Sequence, residues 1–275
     1  MSALAKVVNL HEKQYDNLQV KYNPIEHSVV FEMTPQGRPC FSEALLKELK
    51  QMQKFVCADG YRFIILASAV KGVFNLGGDL HVFRQFIENQ DREGLIDYMQ
   101  LCLSVLHPME LTDTDLHRIA VVQGAALGGG FEAALCCDYI IAEEQAMFGF
   151  PEILFNLFPG MGAYSYLIRR VTPSVAKRLI TSGLTYTASE LMDMGVIDLV
   201  VKEGEGHQAA REYTQRFVRR ENGFRAINRL SGMVNNLEYR ELLDIGKLWV
   251  NTALNLTPND LKMMERLERR QHKYA

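Results

Sequence analysis

Two glutamates and two glycine clusters hold the residue types from which carbonyl chemistry can be assembled. Glu132 stands two residues past the run Gly128-Gly129-Gly130. If that run opens a helix, Glu132 falls on its first turn, where a carboxylate gains under ~1 kcal/mol from the helix dipole. Glu152 comes twenty residues later, in the very apolar stretch Phe148-Gly149-Phe150-Pro151-Glu152-Ile153-Leu154-Phe155. A carboxylate there is either exposed at a turn or held in a low-dielectric pocket with a raised pKa. Two carboxyl groups in such settings form an acid and a base whose protonation states are pushed apart. Spacing alone does not bring them together.

The glycines suggest the electrophilic half of the same chemistry. The first cluster is Phe74-Asn75-Leu76-Gly77-Gly78-Asp79-Leu80, after an apolar run ending near Ala67. The second is the segment 124–132, after the run Ile119-Ala120-Val121-Val122. Consecutive glycines permit positive φ and let a ligand approach bare N–H groups. Where such a turn opens a helix, its free N–H groups favour a negative oxygen. Two turns converging from neighbouring strands would aim one N–H each at a developing oxyanion, each worth ~3–4 kcal/mol in a transition state. Neither cluster carries Gly-Lys-Ser/Thr, which excludes a P-loop. Gly160-Met161-Gly162 lacks the third glycine of a dinucleotide fingerprint and follows Pro159 rather than a strand.

The elements that would hold these residues alternate along the first half of the chain. Val29-Val30-Phe31 reads as part of a strand. Residues 42–56 read as a helix started by Ser42, with Leu45, Leu46, Leu49, Met52 and Val56 at helical spacing. Residues 63–67 and 119–122 read as strands buried on both faces, and 80–87 and 95–106 as helices. This rhythm predicts β-α-β crossovers on one core. Beyond about Glu203 the strand signals stop. Leu242, Ile245, Trp249, Ala253 and Leu256 form a helical stripe, and Leu261, Met264 and Leu267 suggest a final helix after Pro258.

Composition narrows the class. The chain has 275 residues, enough to bury roughly three quarters of its unfolded surface without a disulfide or metal staple. Thirty basic against thirty-three acidic residues give a net charge of −3, which disfavours bulk binding to nucleic acid or anionic lipid. No apolar run approaches the ~20 residues of a membrane-spanning helix, and residues 1–12 lack a signal-peptide pattern. The five cysteines (Cys40, Cys57, Cys102, Cys136 and Cys137) follow no metal-ligand spacing and read as small core hydrophobes. His107 and His117 have no Ser or Cys nucleophile beside them and read as structural. A soluble cytoplasmic protein is expected.

The triple-glycine-x-Glu element, the Pro151-Glu152 pair and Pro159-Gly160-Met161-Gly162 together resemble the crotonase (enoyl-CoA hydratase/isomerase) superfamily over about residues 29–201. Within it, the blocks 74–80, 128–135 and 151–165 are similar to the diffusible signal factor synthases, which make cis-2-unsaturated fatty-acid signals. The resemblance implies an α/β fold, a spiral of ββα repeats over residues 1–203, and a helical trimerisation region over 204–275. It assigns the N–H groups of Gly78 and Gly129 to an oxyanion hole and makes Glu132 and Glu152 the acid/base pair. It lines an acyl tunnel with Gly77, Met161, Trp249 and Leu267. Departures include Asn156, where ordinary hydratases usually have Gly, and Gly78, where Ala is frequent.

The implied reaction is dehydration of a 3-hydroxyacyl thioester followed by thioester hydrolysis, with no cofactor beyond the acyl carrier protein or CoA that bears the substrate. Homotrimers or hexamers are the implied assemblies, a sensor kinase the implied regulatory partner, with neither nucleic acid nor membrane expected. Two other readings stand beside it. One is an enoyl-CoA hydratase or isomerase of fatty-acid degradation, and the other is a non-catalytic binding or regulatory homologue.

Overall fold

The computed structural model describes residues 14–23, 25–58, 60–107 and 116–271. Residues 1–12 and the side chain of Cys57 therefore lie outside what is described. The chain runs β1 (Leu18–Asn23), β2 (Ser28–Met33), α1 (Glu43–Ala58), β3 (Phe63–Ser68), β4 (Val73–Asn75), α2 (Leu80–Glu88) and α3 (Arg92–Leu106). It continues through β5 (His117–Val122), β6 (Ala125–Leu127), α4 (Gly129–Leu135), β7 (Tyr139–Glu143), β8 (Met147–Gly149) and a 3-10 turn at Pro151–Phe155. Then come α5 (Ala163–Leu167), α6 (Pro173–Thr181), β9 (Thr185–Thr187), α7 (Ala188–Asp193) and β10 (Leu199–Val201). The remainder is helical: α8 (Gly206–Arg219), α9 (Glu221–Val234), α10 (Tyr239–Ala253) and α11 (Pro258–Gln271).

The strands form two sheets. One has the order β1-β2-β3-β5-β7-β10, the other β4-β6-β8-β9. Pairing is parallel except at the β1–β2 and β8–β9 edges. Each turn of the chain lays one strand in the large sheet, the next in the small one, and then a helix: β3-β4-α2/α3, then β5-β6-α4. The third turn, β7-β8, leads into the 3-10 turn and α5. This is the ββα spiral of the crotonase fold, closed by C-terminal helices.

The run 63–67 is apolar throughout because its two faces meet different cores. Ile64 faces the cluster containing α1, α3 and α4, while Phe63, Ile65 and Ala67 face Ala210, Tyr213 and Phe217 of α8. Ser42 starts α1 as its sequence suggests, with Oγ accepting from Leu45 N–H at 3.2 Å. A third cluster joins Ile87, Leu95, Phe155, Leu157, Trp249, Val250, Ala253 and Met264, and so ties the helical tail to the front of the spiral.

The structure adds two strands to the sequence reading. The clusters do come after the long strands β3 and β5, but between each long strand and its glycine pair the chain forms a short strand, β4 before Gly77-Gly78 and β6 before Gly128-Gly129, both in the small sheet. Those strands have three residues each, too few to show the period-2 pattern by which a strand is read.

Candidate active site

Parallel strands β4, β6 and β8 are neighbours in the small sheet, so the loops at their carboxyl ends open side by side. These loops carry Gly77-Gly78, Gly128-Gly129 and Pro151-Glu152. At Gly77 the backbone has φ +89°, and a Cβ there would lie 2.9 Å from Gly129 N and 2.8 Å from Leu127 O. Glycine is required both for the positive φ and for the approach. The same packing puts Gly78 N 3.4 Å from the position a Cβ on Gly129 would take. Among the described residues, neither Gly78 N–H nor Gly129 N–H is taken up by a protein acceptor. Gly129 is the first residue of α4, where an N–H has no partner within its own helix.

Glu132 lies on the first turn of α4 and is 1% exposed. Its Oε1 accepts from Met161 N–H and Ala163 N–H, both at 2.8 Å. Burial pushes its pKa up to about 7, and those two N–H groups hold it from rising further. The backbone that donates them is the Pro-Gly-x-Gly segment and the residue just after it, so this motif helps build the seat of Glu132.

Glu152 sits in the 3-10 turn. Its Oε2 is sealed from solvent with no hydrogen-bond partner among the described residues. Burial, reinforced by the nearby charge of Glu132, pushes its pKa up to about 8. Gly128, at φ +51°, gives this carboxylate room: a Cβ there would stand 2.3 Å from Glu152 Oε1. The turn ends at Asn156 in the left-handed region, φ +61°. Apart from glycine, Asn is among the residues that adopt this conformation most readily. Asn156 Nδ2 also reaches Asp260 Oδ2 of α11 at 3.5 Å.

All three loops open into one cavity of about 600 Å3, measured to include its open mouth. Gly77, Gly78, Gly129, Glu132, Glu152, Met161 and Trp249 are on its wall. Leu267 is not; it packs on α11 against the cluster around Trp249, one layer behind the wall. Apart from the two carboxyl groups, the Tyr98 hydroxyl and the Cys102 thiol, the wall is apolar or glycine. Such an arrangement can hold a carbonyl oxygen between two N–H donors, with an ionised and a protonated carboxyl group at the adjacent carbons.

A family model described as enoyl-CoA hydratase/isomerase matches residues 28–240. The chain belongs to the enoyl-CoA hydratase/isomerase family. It is 32% identical over 182 residues to the probable mitochondrial enoyl-CoA hydratase 2 of Arabidopsis thaliana, covering 66% of this chain and 58% of that protein. The matches therefore span about three fifths of the length of such curated relatives. Among solved structures, the enoyl-CoA hydratase from Bacillus halodurans superposes with a TM-score of 0.78 at 19% identity, over 91% of this chain and 99% of that one. DspI of Pseudomonas aeruginosa superposes with a TM-score of 0.68 at 25% identity, over 75% and 76% of the two chains.

Within this enoyl-CoA hydratase/isomerase fold, sequence reasoning missed aromatic side chains on the cavity wall, Phe83 and Tyr98 among them. Phe83 packs edge-on against Tyr98 and Trp249, with ring centroids 4.9 and 5.1 Å apart. Tyr98 donates its hydroxyl hydrogen to Phe41 O and accepts from Asp79 N–H. Both lie on amphipathic helices, where an inward aromatic reads as ordinary core. His117 is buried, its Nε2 3.0 Å from Tyr213 Oη and its Nδ1 3.0 Å from Asn228 Nδ2, and His107 stacks on Tyr239. Cys40, Cys102, Cys136 and Cys137 are buried and unbridged. Among the described residues, no cluster of His, Cys, Asp and Glu is arranged to hold a metal ion, and no helix is long and apolar enough to cross a membrane.

Proposed function

We propose that this protein hydrates the double bond of 2-enoyl thioesters, with CoA as the carrier. The observation that carries this reading is the meeting of two unpaired N–H groups, the buried carboxyl of Glu132 and the half-buried Glu152 on one apolar cavity. The thioester oxygen lies between Gly78 N–H and Gly129 N–H, which stabilise the enolate as charge moves onto it. Glu132, with two N–H donors favouring its ionised form, takes a proton from water as the oxygen attacks Cβ. Glu152, higher in pKa and without a partner on Oε2, donates its proton to Cα. The apolar wall, with Met161 and Trp249, takes the acyl chain. The names of the curated relatives favour hydration over signal synthesis.

A second reading is dehydration of a 3-hydroxyacyl thioester, borne by acyl carrier protein, with release of a cis-2-enoic acid. The blocks 74–80, 128–135 and 151–165 and the likeness to the DspI structure support it. The same N–H pair would then serve the tetrahedral oxyanion of thioester hydrolysis. Homo-oligomeric assembly belongs to both readings; α9 supports it by exposing Ile227, Leu230, Met233 and Val234, a hydrophobic edge left bare in the single chain.

One experiment separates the readings. Purified protein is incubated with 2-enoyl-CoA esters of increasing length and, separately, with 3-hydroxyacyl thioesters of acyl carrier protein, and products are resolved by mass spectrometry. Hydration gives 3-hydroxyacyl-CoA with the thioester intact and is lost in Glu132→Gln and Glu152→Gln. Free enoic acid from 3-hydroxyacyl substrates would establish the second reading instead. Neither product from wild type would overturn both.

A further inference from the structure

The last residue of α11 reaches across the molecule into the loop that carries Gly78. Gln271, 4% exposed, donates from Nε2 to Leu76 O at 3.1 Å and to Gly78 O at 3.0 Å. Its Oε1 is buried without a partner among the described residues, so the two carbonyls alone orient the amide. The other polar groups of this loop are also committed. Leu76 N–H donates to Pro39 O and Gly77 O accepts from Phe41 N–H, at 2.8 and 2.7 Å. Gly77 N–H donates to Asn75 Oδ1 at 2.8 Å, and Asp79 N–H to Tyr98 Oη at 3.4 Å. Gly78 N–H is left over, on a residue that lines the cavity.

We infer that Gln271 is a positioning residue for the oxyanion donor: it clamps the peptide groups on both sides of the one that carries the Gly78 N–H and thereby aims that N–H. Glycines at 77 and 78 leave this loop free to rotate, and a hydrogen bond on each flank removes that freedom before substrate arrives. Three contacts set the register of α11 so that Gln271 falls opposite the loop. Glu268 meets His81 Nδ1 at 2.9 Å and Arg84 Nε at 3.2 Å on α2. Met264 is fully buried in the cluster with Phe155 and Trp249, and Asp260 meets Asn156 beyond Glu152. The tail helix thus joins the loop of Gly78 to the turn of Glu152 and forms part of the site.

The inference rests on the acyl-thioester reading, and its test separates the two. The probe is a cinnamoyl-CoA bearing a para-dimethylamino group, whose absorbance moves to longer wavelength when negative charge is drawn onto the thioester oxygen. Wild type should shift the band on binding. Gln271→Met, of similar volume but without a donor, should lose roughly half or more of that shift, because one of two donors is misaligned. Its kcat for enoyl-CoA should fall about tenfold while KM moves less than about threefold, the signature of an interaction made mainly in the transition state. Gln271→Glu, which sets an acceptor against two carbonyls, should do at least as much and serves if the methionine variant does not fold. Arg270→Ala, at an exposed neighbour, should leave the shift unchanged. No shift in wild type would overturn the acyl-thioester reading and this inference with it. A full shift and unsplit kinetics in both Gln271 variants, even with a lowered Tm, would overturn the positioning role alone.

Discussion

The ring of Phe83 occupies the space that a side chain on Gly78 would need: a Cβ there would come within 2.5 Å of both Cε2 and Cζ. The ring is held in turn by Tyr98 and Trp249. Gly78→Ala therefore keeps the N–H but overpacks the wall, at a cost of ~1–3 kcal/mol. Turnover per KM should fall about tenfold, and Phe83→Leu in the same chain should restore most of it. A double-mutant cycle checks this; additive losses would show that the two positions are not coupled.

Gly128 and Glu152 make a second tight pair. With φ +51° and ψ −124° at position 128, Gly128→Ala should destabilise the fold by ~1–3 kcal/mol through backbone strain alone. Its Cβ would also displace the Glu152 carboxylate, so activity should drop further than stability does. Urea denaturation and turnover, measured on the same preparation, test both. Unchanged stability would contradict the strain.

Glu132 has a structural duty beside its chemical one. Glu132→Gln keeps an oxygen for Met161 N–H and Ala163 N–H, so the variant should fold as wild type while losing about 100-fold or more in kcat. Glu132→Ala leaves two buried N–H groups unpaired and should unfold more easily, by ~1–3 kcal/mol for each. Equal stability of the two variants would mean that the N–H seat contributes nothing.

Both carboxyl groups also couple stability to pH. Their ordinary value is 4.5, and folding raises them to about 7 and about 8. Between pH 4.5 and about 8 these two groups therefore hold more protons in the folded chain than in the unfolded one, and their contribution to stability falls as pH rises. Glu152→Gln should flatten that decline in Tm. Activity needs one group ionised and the other protonated, so kcat should peak in a narrow band around the two values; because the groups interact, each limb belongs to the pair. A rate constant across pH 6 to 9, roughly the span in which these groups titrate, would rule out their joint role.

Helices α1, α2 and α3 and strands β3 and β5 were legible in the sequence because each carries its own apolar pattern. Residues 42–56 and 80–87 place apolar side chains at helical spacing, and 63–67 and 119–122 are apolar throughout. The small sheet was not legible, since a three-residue strand such as β4 or β6 takes its shape from neighbours distant in sequence. Leu267 illustrates the converse limit. Its spacing correctly puts it on the buried side of α11, but which layer it joins depends on where α10 places Trp249.

Sequence alone determined the local chemistry: glycines that can take positive φ, a glutamate one turn into the helix they open, and a second glutamate in an apolar turn. These are properties of a few adjacent residues. Tertiary structure decided everything that depends on distance through space. It set the pKa values of Glu132 and Glu152, because desolvation comes from the chain folded around them. It brought Gly78 beside Gly129 through the pairing of β4 with β6, and it laid Gln271 on a loop almost two hundred residues earlier. Backbone conformation is a short-range preference of each residue, whereas burial and hydrogen-bond partnership are set by the whole packed chain.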